Sequence, residues 1–339
     1  MPLVAVAPQL DVTTPHFNRM VRLISRRATL YTEMVVADAI FHRSRKEGAA
    51  FDVTRFVGKD RDVVVQLAGN NPRTLEVATG ILREDGFTRF NLNVGCPSER
   101  VQGGHFGCVL MKSPDLVAAN VSAMAEAAQT RVSVKCRLGV DRDYDSDELL
   151  HRFVDTLDRT GALGHLVVHA RKAWLNGLSA KDNRTVPPIQ YDRVYRLKRA
   201  FPHVPMTING EIRDWDVCKR LHLAHVEGVM LGRAAASNPF MFSTVDRDFF
   251  HDNGDDEDDD CGGKVQTRED VLDKYIEYVA GELADMPEEK TGLTSLLWPA
   301  LNLYNGEALG KRFRRTIQDH FANSRDLLSS LQRGREMLN

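Results

Sequence analysis

The chain has 339 residues, 42% hydrophobic and 27% charged, the make-up of an ordinary globular protein with room for one large domain and a smaller one. At a net charge of −2 and with no apolar run long enough to cross a bilayer, it is neither a strongly polyionic protein nor a membrane-spanning one. Its five cysteines (Cys96, Cys108, Cys136, Cys218, Cys261) are odd in number and form no CxxC pair, which argues against a disulfide framework or a metal centre and for a reducing compartment.

The opening residues Met1–Pro8 read as a strand rather than as a targeting segment, so a cytoplasmic location is expected. Thr14-Pro15, an N-cap followed by proline at N1, starts a helix on which Phe17, Met20, Val21 and Ile24 fall at helical spacing. Asn71-Pro72 and Ser113-Pro114 repeat that signal. Short apolar strands are predicted at Val4–Ala7, Leu30–Thr32, Val63–Leu67, Phe90–Asn93, Val132–Lys135, His165–His169, Met206–Asn209 and Gly228–Leu231. Eight strands with helical crossovers fit an α/β fold, a (β/α)8 TIM barrel over residues 1–250. A doubly wound sheet is the alternative, but it does not ordinarily carry polar groups at nearly every strand end.

Here almost every strand ends in such groups: Ala7-Pro8-Gln9, Gln66, Lys135, His169-Ala170-Arg171, Asn209-Gly210 and Gly232-Arg233. In a barrel these ends converge on one mouth, and the last two stand where barrels commonly hold a phosphate, with Arg233 supplying charge. The fourth strand runs into Gly95-Cys96-Pro97-Ser98. Pro97 disfavours the α region for Cys96, so the thiol is presented on a turn just past a strand end, followed by Gly103, Gly104 and Gly107. A buried apolar cysteine is the plainer alternative for a lone Cys, but this setting favours chemistry.

Beyond the barrel, residues 251–264 contain Asp252–Gly263, DNGDDEDDDCGG, with seven acids and no base. Charge of one sign at that density predicts a disordered loop, and no ligand spacing marks it as a metal site. Without those acids the chain stands at +5, and Lys311–Asn339 holds seven Lys/Arg against three acids. Residues 265–339 read as a separate all-helical bundle, opened by a capping box at Thr267–Asp270, with turns near Pro287 and Asn305-Gly306. Its basic end is a modest pointer to a polyanion; a solvated helix face explains it equally well on charge alone.

The blocks LYTEMV (Leu30–Val35), LNVGCPSERVQGGHFGCVLM (Leu92–Met111) and HARKAWLNGLSAKDNR (His169–Arg184) stand in the order found in the tRNA-dihydrouridine synthases, and over almost its whole length the sequence resembles the branch related to the bacterial A-type enzymes. That resemblance implies an FMN-binding barrel and a helical tRNA-binding domain, NADPH as reductant, and a monomer without metal or membrane attachment. It implies reduction of the C5–C6 double bond of a D-loop uridine, with U20 and U20a indicated. Cys96 matches the catalytic acid, a role suited to a thiol, whose reference pKa of about 8.5 leaves it protonated yet able to release its proton.

For the cofactor, the resemblance assigns Lys135 to the flavin N1–O2 edge and Gln66 to a ring hydrogen bond. His169, Asn209, Gly210, Gly232 and Arg233 fall around the ribityl phosphate, and Pro8 and Gln9 take the place of a backbone contact. Asn93 matches a contact to the target base, and Lys181, Arg184, Lys311, Arg314 and Arg315 match basic residues that grip tRNA. Three departures stand out: Gln9 where the family has Met, Glu211 where it has a second Gly, and Leu297-Trp298-Pro299 where the branch has Thr-Arg-His. An FMN barrel acting on a small molecule and a non-catalytic tRNA-binding protein are the competing readings.

Overall fold

The computed structural model describes residues 3–98, 103–250, 266–286 and 292–338. The acidic stretch Asp252–Gly263, Cys261 within it and the turn at Pro287 lie outside the described residues.

Eight strands form where short runs of β-branched and apolar residues occur: β1 (Leu3–Val6), β2 (Tyr31–Val36), β3 (Val64–Ala68), β4 (Arg89–Val94), β5 (Val132–Arg137), β6 (Leu163–His169), β7 (Met206–Asn209) and β8 (Gly228–Leu231). All pair in parallel, in the order β1-β8-β7-β6-β5-β4-β3-β2. The two end strands meet through the parallel bridge Ala5↔Thr29, where Val6 N donates to Thr29 O and Thr29 N to Val4 O, each at 2.9 Å. The sheet therefore curls into a TIM barrel rather than lying open, which sets the doubly wound alternative aside.

Alternate residues of a strand share a face, so those that point into the barrel form layers. Ala5, Ala7, Tyr31, Val64, Val167 and Met230 make a buried apolar plug. Two residues further along three of the same strands stand Gln66, His169 and Gly232. The barrel interior thus changes from apolar to polar toward the carboxyl ends of its strands.

Helices α2 (Ala37–Glu47), α3 (Pro72–Glu84), α4 (Pro114–Ala128), α5 (Asp147–Asp158) and α6 (Tyr191–Ala200) follow β2 to β6; α1 (Pro15–Ile24) follows β1 and is described below. The side chain of Asn71 caps α3 by accepting from Arg73 N and Thr74 N. Leu75, Ala78 and Leu82 on that helix are completely buried, and each leucine stabilises the fold by about 1.5–3 kcal/mol relative to an exposed position. Ser113 starts α4 without a side-chain cap; Pro114 alone supplies the preorganised first turn.

The chain forms two compact units. One holds the strands, from the N-terminal stretch up to Leu10 and then Thr29–Gly232. The other is helical and joins Asp11–Ala28 to the described residues from Arg233 onward. It contains α1, capped by the Thr14 hydroxyl, and α7 (Arg268–Asp285), α8 (Leu293–Leu301), α9 (Gly310–Ser324) and α10 (Leu327–Glu336). The capping box forms as expected, Thr267 and Asp270 each accepting from the other's backbone N–H. Trp298 stacks on Phe17 with ring centroids 5.6 Å apart, and Leu297 and Pro299 are buried. The departure from Thr-Arg-His thus replaces polar side chains by core of the helical unit.

Candidate active site

The polar layer of the barrel is a continuous amide chain. Gln66 N donates to Thr32 Oγ1 at 3.1 Å, Gln66 Nε2 to Asn91 Oδ1 at 2.8 Å, and Asn91 Nδ2 to Ser133 Oγ at 2.9 Å. Asn93 Nδ2 donates to Gln66 Oε1 at 2.9 Å, while its Oδ1 accepts from both Gly95 N and Cys96 N at 3.0 Å. Gln66 and Asn91 are almost wholly buried, so these bonds offset a desolvation cost that would otherwise be about 1–3 kcal/mol per group. Asn93, expected to contact a base, is used here to fold the turn that carries Cys96. Asn91 escaped the sequence reading although it shares a strand face with Asn93.

Cys96 is held by its backbone on both sides. Its N–H goes to Asn93, its carbonyl accepts from Cys108 N at 3.0 Å, and the preceding carbonyl, Gly95 O, accepts from Arg137 Nε at 2.9 Å. The thiol is partly exposed and donates to Ser98 Oγ at 3.5 Å. Cys108, the other thiol of this segment, is fully buried, and burial pushes its pKa up to about 12.

Two cations occupy the end of β5. Lys135 Nζ donates to Asn209 Oδ1 at 3.0 Å, and Asn209 Nδ2 donates in turn to Met230 O at 2.8 Å. Among the described residues Lys135 has no carboxylate partner. Burial, with Arg137 nearby, pushes its ammonium down to about 8. Arg137, absent from the expected set because β5 runs two residues further than its sequence suggested, is 3% exposed. It donates to Gly95 O, and through Nη1 to Lys172 O and Asn183 O at 3.0 Å each. Burial pushes it down to about 10. Buried charges without counter-ions cost on the order of several kcal/mol each, so this end of the barrel is built to receive negative charge.

The neighbouring strand ends are shaped for close approach. Gly210 has φ +126°, a conformation strained for any side chain, and a Cβ there would also crowd Ile189 Cδ1 at 2.7 Å and His169 Cδ2 at 3.0 Å. Tyr191 OH fixes this turn by donating to Gly210 O at 2.6 Å. At Gly232 a Cβ would stand in ordinary contact with Ala7 Cβ at 3.6 Å and Gln9 at 3.7 Å. Glycine there keeps the backbone slim beside the Ala7-Pro8-Gln9 strand end. Glu211, with φ +51° in the region a second glycine would enter freely, pairs with Arg171 Nη2 at 2.8 Å. Its charge is thereby drawn onto the His169-Ala170-Arg171 segment. Arg233 opens the short helix Arg233–Ser237 and is exposed in the helical unit.

Lys181 and Arg184 are exposed on the loop after β6. That loop is organised by Asn183, completely buried, whose Oδ1 accepts from Trp174 N and whose Nδ2 donates to Trp174 O, both at 2.8 Å, and to Ser179 O at 3.2 Å. In the helical unit Lys311 and Arg315 are exposed one turn apart on α9. Arg314 is turned inward, onto Leu301 O at 3.2 Å and Asn302 Oδ1 at 2.9 Å, where it satisfies the end of α8. Among the described residues no cluster of His, Cys, Asp and Glu could hold a metal ion, and no helix is long and apolar enough to cross a membrane.

The dihydrouridine synthase (Dus) family matches residues 5–336. A tRNA-dihydrouridine(20/20a) synthase of Synechocystis sp. is 40% identical over 315 residues, which cover 93% of this chain and 88% of that protein. The protein of the same name from Vibrio cholerae is 38% identical over 316 residues, 93% and 90% of the two chains. Among solved structures, 2-naphthoyl-CoA reductase in complex with 2-naphthoyl-CoA aligns at a TM-score of 0.53 and 8% identity, over 72% of this chain and 50% of that one. The chain spans half the length of that reductase, and the likeness is one of fold.

Proposed function

The chain belongs to the dihydrouridine synthase family, and on that premise we propose that it reduces the C5–C6 double bond of uridine to 5,6-dihydrouridine in the D-loop of tRNA, at positions 20 and 20a as in the names of its relatives, with FMN as cofactor and NADPH as reductant. The observation that carries this reading is the buried Lys135 ammonium, hydrogen-bonded to Asn209 and lacking a counter-anion among the described residues. A reduced flavin ring is an anion of the kind this position lacks. The tight turn at Gly210 and the slim backbone at Gly232 fit a phosphate at the ends of β7 and β8, with His169 as a further ligand. Pro8, Gln9 and Gln66 would border the ring, and Glu211, paired with Arg171, would keep its charge from the phosphate.

Held there by Lys135, Asn209 and His169, a reduced flavin would supply hydride to C6 of the uracil. Cys96 supplies the matching proton: its Sγ–H bond breaks as the C5–H bond forms, and the thiolate left behind recovers a proton from solvent. Asn93 and Arg137 hold the backbone just before that thiol and Cys108 N the carbonyl just after it, so its position is set before substrate arrives. The base must leave its stack to reach a thiol at a barrel mouth. Lys181 and Arg184 on the barrel unit, and separately Lys311 and Arg315 on the helical unit, would contact tRNA phosphates. The thiols and the tRNA substrate both suit the cytoplasm.

The test is direct. The purified protein should be yellow and release FMN on denaturation, and with NADPH it should convert unmodified tRNA to a product carrying dihydrouridine at 20 and 20a. A protein that fails to bind added FMN, or binds it and leaves tRNA unmodified, would overturn the proposal.

A further inference from the structure

Arg137 is a buried cation that the reaction above does not consume, and its acceptors lie on two separate loops. Gly95 O belongs to the turn of the catalytic thiol; Lys172 O and Asn183 O belong to the loop after β6. All three are neutral carbonyls. Only a planar guanidinium presents donors in several fixed directions at once, and a lysine ammonium at the end of a flexible stem cannot span them in the same way.

The second loop is rigid where Arg137 grips it. Asn183, through its bonds to Trp174 and Ser179, ties residues 174–183 into one knot, and the exposed Lys181 and Arg184 flank it. A connected path therefore runs from the tRNA-facing cations through the Asn183 backbone, the Arg137 guanidinium and Gly95 O to the Cys96 turn. Every link in it is a hydrogen bond of 2.8–3.2 Å or a covalent bond.

We propose that Arg137 is a positioning residue that clamps the Cys96 turn to the loop bearing Lys181 and Arg184, so that the phosphate grip of that loop and the placement of the proton-donating thiol are set together. The inference rests on the reading of Cys96 as the proton donor. The electrostatics agree with it: burial pushes the guanidinium down to about 10, and Cys108 and Cys96 oppose that fall, which places Arg137 within the field of both sulfurs.

The experiment compares wild type, Arg137→Lys, Asn183→Ala and Cys96→Ala as full-length flavin-loaded proteins. Two quantities are measured: single-turnover reoxidation of dithionite-reduced flavin by unmodified tRNA, and the rate of Cys96 alkylation by iodoacetamide without tRNA. Arg137→Lys keeps the positive charge but loses the fork. It should hold flavin with an unchanged spectrum, slow reoxidation by about 10–100-fold, the scale of a misplacement near 1 Å, and shift the alkylation rate. Asn183→Ala loosens the far end of the clamp without touching the barrel. It should move both readouts in the same direction as Arg137→Lys, which keeps the test decisive if the arginine variant folds poorly. Added guanidinium should restore part of the reoxidation rate in an Arg137→Ala protein.

If Arg137→Lys and Asn183→Ala alkylate and reoxidise like wild type while Cys96→Ala is slow, the clamp is wrong and the proton donor is right. If Cys96→Ala itself reoxidises at the wild-type rate, the reading of the thiol falls, and the clamp falls with it.

Discussion

Two groups of cations in the barrel unit are treated in opposite ways. Around Asp145 and Asp147, the cations Lys172, Arg193 and Arg196 each have an acid. Asp145 accepts from Lys172 Nζ at 2.8 Å and Arg193 Nη1 at 2.6 Å, and Asp147 pairs with Arg193 and Arg196 at 2.7 Å each. Burial pushes the Asp145 carboxyl up, but hydrogen bonds and charge from Lys172 and Arg193 outweigh it and hold the group below its usual range. At the end of β5, Lys135 and Arg137 meet only neutral oxygens among the described residues. The first arrangement is complete within the chain and serves the fold. The second is electrically open, a cost to folding that only a bound anion or a reacting group repays.

The largest effect expected from breaking this contrast is at the mouth. Cys96→Ala should slow flavin reoxidation by tRNA by about 10²–10⁴-fold, the usual contribution of a positioned general acid, in a stopped-flow trace at the flavin band. Reduction of the flavin by NADPH should be unchanged, because no thiol takes part in it. Cys108→Ala, at a fully buried position, should leave the reoxidation rate nearly intact.

Breaking the closed cluster should act on stability instead. Asp145→Ala takes the acid from Lys172 and one of two acids from Arg193, which keeps Asp147, and should cost about 1–3 kcal/mol, read as a lowered urea midpoint. The pH dependence has a definite sign. The folded pKa of Asp145 is depressed, so its contribution is fully present above the unfolded carboxylate value, about 3.9, and is lost as pH falls through the folded value.

Lys135 should behave in the opposite sense. Its folded pKa of about 8 lies below its ordinary 10.5. Between these values the unfolded chain holds a proton that the folded one has released, so flavin-free protein gains stability from this group as pH rises through that window. Below about pH 8 the charge is buried in the folded state and the penalty is constant. Lys135→Met should therefore raise the melting temperature of the apoprotein at pH 7 and flatten its rise between pH 8 and 10.5.

How much of this was legible in the sequence follows from which signals are local. The barrel was, because each strand carries its own apolar run and each crossover its own start signal, as at Asn71-Pro72. The turn at Cys96 was, through Pro97; that Cys108 is buried while Cys96 is not was visible only in the fold. Arg137 was not: in KCRLG nothing distinguishes a strand ending at Lys135 from one running to Arg137, and the three carbonyls that make it useful come from distant segments. Asn91 and Asn183 were missed for the same reason, since a buried asparagine is identified by its partners. Arg314 shows the reverse error. Its place in a basic run reads as a phosphate contact, while the fold turns it onto the end of α8.

That last difference yields the smallest predicted effects. Removing Lys311 and Arg315 together should reduce the log–log salt slope of tRNA binding by roughly 0.7–0.9 per lost phosphate contact. Arg314→Ala should leave the slope almost unchanged and lower the melting temperature instead. Filter binding across a salt series, paired with thermal melts, separates the two.

The central claim is that the uncompensated ammonium of Lys135 marks the place of the anionic cofactor. It is tested most directly by the thermal shift that saturating FMN produces in the apoprotein, measured for wild type and Lys135→Met at pH 7. Wild type should gain clearly more than the variant, since ligand stabilisation follows affinity and each tenfold loss of affinity removes about 1.4 kcal/mol. An equal shift in the two proteins would mean that FMN does not answer this charge, and the account would be contradicted.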